Sequence, residues 1–162
     1  MSLGSNFKQG TYLGYLAILR IVVGYHFVSV ALPKVTGPFL KGKILSDELA
    51  KTALKDPFAW HQSFILGFVV PHAHFFSCLV GFGELAIGIS LILGCLVRIS
   101  AAFGAFHNLN ILLSIAIASG GPQLGLNRIF IFLQLVFVAS SAGRSLGVDG
   151  LLKKWFPRSK IF

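Results

Sequence analysis

Four long apolar runs with few charged positions dominate the pattern of the chain. They cover residues 12–32, 73–97, 99–118 and 129–142. A helix needs about 20 predominantly apolar residues to cross the hydrocarbon core of a bilayer, and the last run reaches this length if it begins near Leu124. The pattern therefore predicts four transmembrane helices, which we place at residues 11–33, 73–97, 99–118 and 124–142.

The long connection between the first two spans, residues 34–72, has a helical pattern of its own. A Ser-Asp-Glu sequence at Ser46 marks a helix start, because serine caps helices and acids suit the first turn. The residue before Pro57 disfavours helical geometry and ends that helix. The aromatic segment 58–70 is too short to span, so we expect it to lie at the membrane interface. A connection of this length is uncommon without a role, and we expect it to cover one side of the bundle.

Short links join the other spans, so consecutive helices are predicted to be antiparallel. The predicted fold is a single all-α domain, an integral membrane four-helix bundle with an additional interfacial helical segment between the first and second spans. Residues 143–162 form a basic tail, and both termini lie on one side of the membrane.

Charge decides little about orientation but excludes one class of partner. Seven cations lie on the terminal side: Lys8, Arg98, Arg144, Lys153, Lys154, Arg158 and Lys160. Six lie on the other side: Lys34, Lys41, Lys43, Lys51, Lys55 and Arg128. The excess in the tail favours cytoplasmic termini. Because these cations, apart from Arg128, lie outside the predicted spans, where topology signals and headgroup contacts belong, the net charge of +9 does not indicate nucleic-acid binding.

Composition agrees with a lipid environment. Charged residues make up 12% of the 162 residues and hydrophobic residues 55%, whereas soluble domains carry roughly 25% charged residues. The two cysteines, Cys78 and Cys95, lie about 25 Å apart on a helix of 1.5 Å rise, so no disulfide is predicted. The chain has no CxxC, HExxH, GxSxG, GxGxxG or P-loop motif, which argues against the common soluble enzyme classes.

Polar side chains inside the spans are the candidate functional residues, since an ionisable group in a span is costly and is by default a functional-site hypothesis. Arg20 lies in the first span and Glu84 in the second, each on a stripe of small residues. Their positions within the predicted spans place both residues near the middle of the bilayer. An unpaired charge there costs about 2.5–3.5 kcal/mol on insertion scales. We therefore predict an Arg20–Glu84 ion pair.

Two interpretations of these polar stripes stay open. In the first they line a pocket for a quinone or a small anion, with Arg20, Glu84 and His107 as the catalytic group. Arg20 would then hold the ligand, while Glu84 and His107 relay protons. The substrate-binding residues would be His26, Asn108, Asn110 and Gln134. In the second interpretation the same residues only set the helix register. No metal site and no covalently bound cofactor is predicted.

Three stretches resemble the DoxX/DoxD family. In the first span, the stretch LRIVVGYHFVSVALPKV (19–35) is similar to the family's opening helix. The stretch GELAIGISLILGCLVRISA (83–101) resembles the family's second helix. The tail resembles the C-terminal signature, AGRSLGVDGLL (142–152). The long helical connection after the first span is more like that of DoxD, the small membrane subunit of thiosulfate:quinone oxidoreductase, than that of the shorter DoxX proteins. The resemblance implies a four-helix membrane bundle associated with quinone-linked sulfur or redox chemistry.

Two functions follow. The leading one is the membrane subunit of a quinone-linked oxidoreductase of DoxX/DoxD type, such as thiosulfate:quinone oxidoreductase, with a quinone as cofactor. The alternative is a non-catalytic accessory subunit that packs in a larger respiratory or photosynthetic membrane complex. Both imply a lipid bilayer and other membrane subunits as partners, because a chain of this size without a redox centre of its own cannot move electrons unaided.

Overall fold

The computed structural model describes residues 10–159 and 161, and in these residues it contains helices and no strands. The α-helices are α1 (Gly10–Thr36), α2 (Lys43–Thr52), α3 (Ala59–Phe64), α4 (Ala73–Leu93), α5 (Val97–Ile111), α6 (Gly121–Ser140) and α7 (Val148–Trp155). Helix α3 continues as a π-helix, Ile65–Val69, and α5 continues through a π-helical turn, Leu112–Ala116, to Ser119. Short 3₁₀ segments cover Pro38–Lys41, Ala53–Lys55 and Ala142–Arg144.

Four of these helical segments are long and apolar enough to cross a membrane. They are Gly14–Thr36, Ala73–Leu93, Val97–Ser119 and Gly121–Ser140. This confirms the predicted all-α membrane four-helix bundle. The link after each span reverses the chain, so the α4–α5 turn and α7 lie at one end of the bundle, the terminal end. The connection 37–72 lies at the other end.

Span boundaries differ from the predicted ones where turn geometry decides. Helix α4 ends at Leu93 rather than at residue 97, because Gly94 adopts a left-handed conformation with φ +67° and caps the helix. Leu96 is also left-handed, with φ +55°, and α5 begins directly after it. Helix α1 continues beyond Pro33 to Thr36, so Lys34 belongs to the span and not to the connection.

Helices α1 and α4 approach closely at two glycines. A Cβ atom placed on Gly24 would lie 2.8 Å from the carbonyl oxygen of Gly88, closer than real Cβ atoms come. Small residues at such a crossing let two backbones approach. The predicted small-residue stripes therefore do face each other, and this contact sets the register between α1 and α4.

Two hydrophobic clusters fill the bundle. The first lies between the helices toward the terminal end and comprises Val23, Phe27, Ile87, Leu91, Val97, Ala101, Phe137 and Ala142. The second lies under the connection and comprises Leu45, Leu49, Ala53, Ile65 and Val69, packed against Phe76 of α4 and Ile115 after α5. The connection thus packs against the first half of α4 and covers that end of the bundle.

Candidate functional site

A cleft of about 490 Å³ lies between α1, α4, α5 and α6. Its polar lining comprises His26, Lys34, Glu84, His107, Asn108, Gln123 and Asn127. Its apolar lining comprises Phe27, Val30, Ile111, Pro122, Leu126 and Phe130. Four of the predicted site residues are therefore brought to one cleft: His26, Glu84, His107 and Asn108.

Glu84 is the central charge of the cleft and is only 3% exposed. The Nζ of Lys34 donates to both carboxylate oxygens at 2.6 Å. The Nε2 of His107 lies 2.9 Å from Oε1 of the same carboxylate. The polar cluster Lys34–Glu84–His107 therefore joins α1, α4 and α5 through one buried acid.

Helix geometry explains why Lys34 reaches this acid. Lys34 lies in the last turn of α1, where a cation is favoured by the partial negative charge of the helix terminus. Gly81, one turn before Glu84, has the Cβ of Lys34 beside it, so the lysine stem passes over a residue without a side chain. The Lys34 side chain is 28% exposed and that of His107 16%, which leaves both accessible from the cleft.

Aromatic rings form one wall of the cleft. The ring of His26 packs on that of Phe130 with 4.6 Å between centroids, and Phe27 contacts the same ring at 6.0 Å. On the other side, the amide nitrogen of Asn108 donates to the carbonyl of Gly104 at 3.0 Å. The cleft therefore combines a charged cluster with a largely aromatic wall.

The predicted Arg20–Glu84 pair is wrong. Arg20 is fully buried at the terminal end, where its Nη2 donates to the carbonyl of Leu146 at 3.0 Å and its charge interacts with that of Asp149. The Gly24–Gly88 crossing places Arg20 against Gly94, whereas Glu84 faces Lys34. Arg20 and Lys34 are fourteen residues apart on one helix, about 21 Å at 1.5 Å per residue. Arg20 therefore belongs to another site and does not lie at mid-depth.

Two further predicted residues, Asn110 and Gln134, do not line the cleft. Asn110 donates to the carbonyl of Phe106 in its own helix at 2.8 Å. It lies two residues after Asn108, about 200° round the helix. Gln134 is fully buried against Gly104, seven residues and about 10 Å along α6 from Asn127, which does line the cleft. A shared helical stripe gives the face of a residue but not its depth.

Asp149, which the sequence interpretation left without a role, holds the terminal end together. Its carboxylate accepts the backbone N–H groups of Leu96 at 2.7 Å and Val97 at 2.9 Å, and its own N–H donates to the carbonyl of Gly94 at 2.8 Å. It therefore caps α5 from a distant part of the chain.

Lys34 was missed because Pro33 suggested the end of the span, although steps of four residues from His26 through Val30 place it on the same face.

The described residues offer no metal site and no disulfide. Within residues 10–159 and 161, no three His, Cys, Asp or Glu side chains are grouped closely enough to hold a metal ion. Cys78 and Cys95 are both free. Neither residue lines the cleft, so the chemistry of the cleft rests on its charged, imidazole and amide groups.

Comparison with known proteins places the chain in a family. The DoxX family model matches residues 15–118, from near the start of α1 to the end of the third span. No curated protein and no solved structure matches the chain at a significant level. The matched range contains the Lys34–Glu84–His107 cluster and ends before α6 and the C-terminal signature. With its four apolar spans, the chain is an integral multi-pass membrane protein, and it belongs to the DoxX family.

Proposed function

We propose that this protein is the membrane subunit of a quinone-linked oxidoreductase and that the cleft binds the head group of the quinone. The observation that carries the proposal is the Lys34–Glu84–His107 cluster beside the aromatic wall of one cleft. Its volume of about 490 Å³ lies within the range of about 300–1,000 Å³ typical of small-molecule sites. Such sites combine an apolar lining with a few polar groups that orient the ligand.

The lining suits the two parts of a quinone head group. The rings of Phe27, Phe130 and His26 provide flat apolar contact for its six-membered ring. Lys34 has three N–H donors, of which two point at Glu84. Its ammonium group also lies 5.5 Å from the centroid of the Phe39 ring, and the third donor is the one that would bond a carbonyl oxygen. An amide side chain such as that of Asn108 can accept or donate at a second oxygen.

The protein's own contribution to the chemistry would be proton transfer. Reduction of a quinone to a quinol takes up two electrons and two protons, and the electrons would come from a redox centre in a partner subunit. Glu84 and His107 are hydrogen-bonded to each other, and both can exchange a proton as general acid and base. Lys34 would hold the ligand oxygen and balance the charge of Glu84. The proposal includes thiosulfate:quinone oxidoreductase as one member of this class.

One observation favours the alternative of a non-catalytic accessory subunit. Glu84 already has two partners, Lys34 and His107. A purely structural role, the joining of α1, α4 and α5, therefore accounts for the cluster without a ligand. Purification from native membranes separates the two functions. A co-purifying subunit with a flavin, haem or reactive cysteines, together with bound quinone, supports the first. A photosynthetic or respiratory core that retains full activity without this chain supports the second.

Binding can also be tested on the purified chain. A short-chain benzoquinone is titrated into the wild type and into Lys34→Gln, with thermal stability measured on the same samples. We expect the affinity for the quinone to fall at least tenfold in Lys34→Gln, because a charge-assisted hydrogen bond contributes about 1.5–3 kcal/mol. Asp149→Asn, at the other end of the bundle, is the matched control: it should reduce stability and leave quinone affinity unchanged. Equal affinity of Lys34→Gln and wild type would contradict the proposal.

A further inference from the structure

Helix α7 presents large apolar side chains to its surroundings at the terminal end. Leu151 is 58% exposed and Trp155 76% exposed, and Phe156 directly after the helix is also exposed. Val148, Leu151 and Trp155 follow one another at steps of three and four residues, so they share one face of the helix. Lys154 flanks this face, about 60° from Leu151 around the helix, whereas Asp149 and Gly150 lie on the opposite side, against the rest of the protein. The helix is thus amphipathic, with an apolar face turned away from the bundle.

The exposed charge around this face is positive. Lys153 and Lys154 lie in the last turn of α7, and Arg158 follows in the same segment. Lys154 and Arg158 are exposed. The one acid of residues 143–162 is Asp149, which is 2% exposed and engaged with α5. The acids Asp47, Glu48 and Asp56 lie in the connection at the other end of the bundle.

The position of α7 relative to the spans is fixed. The hydrogen bonds of Asp149 to Leu96, Val97 and Gly94 attach the first turn of α7 to the α4–α5 turn. Arg20 adds a bond from α1 to Leu146. The helix therefore lies where two spans end, which is the depth at which hydrocarbon gives way to lipid head groups.

We propose that α7 and the segment after it form a binding site for anionic phospholipids. The Val148–Leu151–Trp155 face enters the acyl-chain boundary, and Lys154 and Arg158 contact the phosphate groups. Amphipathic helices with lysines or arginines on the polar flank and Trp, Leu or Phe on the other lie in the membrane interface in this way. Clustered cations next to a span attract anionic lipids. We favour lipid over a docked protein because α7 is attached where two spans end, at the depth of the lipid head groups.

The two tryptophans make the site directly measurable. Trp60 lies in the connection and Trp155 on α7, at opposite ends of the bundle. Trp60→Phe leaves Trp155 as the sole tryptophan, and Trp60 is 68% exposed, so the fold should tolerate the change. The full chain with Trp60→Phe is placed in bilayers of phosphatidylcholine containing either brominated phosphatidylglycerol or brominated phosphatidylcholine. Bromine quenches tryptophan fluorescence on contact.

We expect brominated phosphatidylglycerol to quench Trp155 more strongly than brominated phosphatidylcholine at equal mole fraction. The preference should disappear in about 1 M salt, where the Debye length is about 3 Å. In Lys154→Gln/Arg158→Gln it should fall about fivefold for each cation removed. The matched control is Lys43→Gln/Lys51→Gln, which removes two exposed cations at the other end and should leave the preference unchanged.

Three results would overturn the proposal. Equal quenching by the two lipids would show that the cations select no head group. An equal loss of preference in the control pair would show a long-range charge effect. No quenching by either lipid would show that Trp155 does not contact the acyl chains and that α7 does not lie in the membrane interface. Because α7 and the cleft lie at opposite ends of α1, none of these results depends on quinone binding.

Discussion

The Nζ of Lys34 lies 2.6 Å from each carboxylate oxygen of Glu84, and this pair connects the last turn of α1 to the middle of α4. Glu84 is an acid in the middle of a long apolar helix; Lys34 compensates its charge, and the imidazole of His107 adds a hydrogen bond to the same carboxylate. Because the Lys34 side chain is partly exposed to the cleft, the pair is also accessible to a ligand.

A double-mutant cycle tests which cation is coupled to Glu84. We expect Glu84→Gln and Lys34→Met to destabilise the protein singly by about 2 kcal/mol. This is less than the roughly 3–5 kcal/mol for a fully buried pair, because Lys34 is partly solvated. The double variant should recover at least about 1 kcal/mol of the summed loss. The measurement is unfolding in detergent with increasing denaturant.

The control cycle combines Glu84→Gln with Arg20→Met. Since Arg20 is bonded to Leu146 at the terminal end, the two effects should add to within about 0.5 kcal/mol. Strong coupling in this cycle and none with Lys34 would contradict the structure.

Asp149→Asn should loosen the terminal end. The substitution replaces a carboxylate that accepts two backbone N–H groups with an amide that has one acceptor oxygen, and loss of such a cap costs about 0.5–2 kcal/mol. Limited trypsin digestion should then cleave faster after Lys153 or Lys154, because α7 is less firmly held. Asp47→Asn, an exposed acid in α2, is the control and should change neither stability nor the cleavage rate.

Gly88→Ala should be destabilising even though alanine is the better helix former. A Cβ at Gly88 would lie 2.7 Å from a methyl group of Val28 and 2.9 Å from the carbonyl oxygen of Gly24, so α1 and α4 must separate. We expect a loss of about 1–3 kcal/mol, as for other overpacked sites. Gly83→Ala, where no atom lies within 4 Å, should be neutral or stabilising by up to about 1 kcal/mol. Equal effects at the two positions would argue against this helix crossing.

Labelling from the two sides of the membrane tests the topology. In a background with Cys78 and Cys95 replaced by alanine, Lys51→Cys and Arg158→Cys provide one exposed thiol at each end of the bundle. An impermeant reagent should modify the two from opposite sides. The basic tail predicts that residue 158 is cytoplasmic. Modification of both from the same side would contradict the four-span bundle.

The sequence alone determined the fold class and the family resemblance. Length and apolar character are properties of each span by itself, and they suffice to predict a membrane-crossing helix. The faces of the helices were also predictable, because a period of 3.6 residues places Gly24 or Glu84 on a stripe without knowledge of the partner. A helix in the connection was also predicted, but its start at Ser46 was wrong. Helix α2 begins at Lys43, directly after the left-handed Gly42, and the Ser46 hydroxyl lies inside the helix, where it donates to the carbonyl of Lys43.

Only the tertiary structure decided which charges meet. The axial register of α1 on α4 depends on where the two helices approach each other closely, here at Gly24 and Gly88. The residue pattern within one helix does not specify this position along the axis. A shift of α4 along α1 changes the cation opposite Glu84 from Arg20 to Lys34, while the same faces of the two helices stay in contact. The same holds for Asp149, whose partners at Leu96 and Val97 lie more than fifty residues away in sequence. Helical period specifies direction around an axis, whereas the close packing of two helices specifies depth along it.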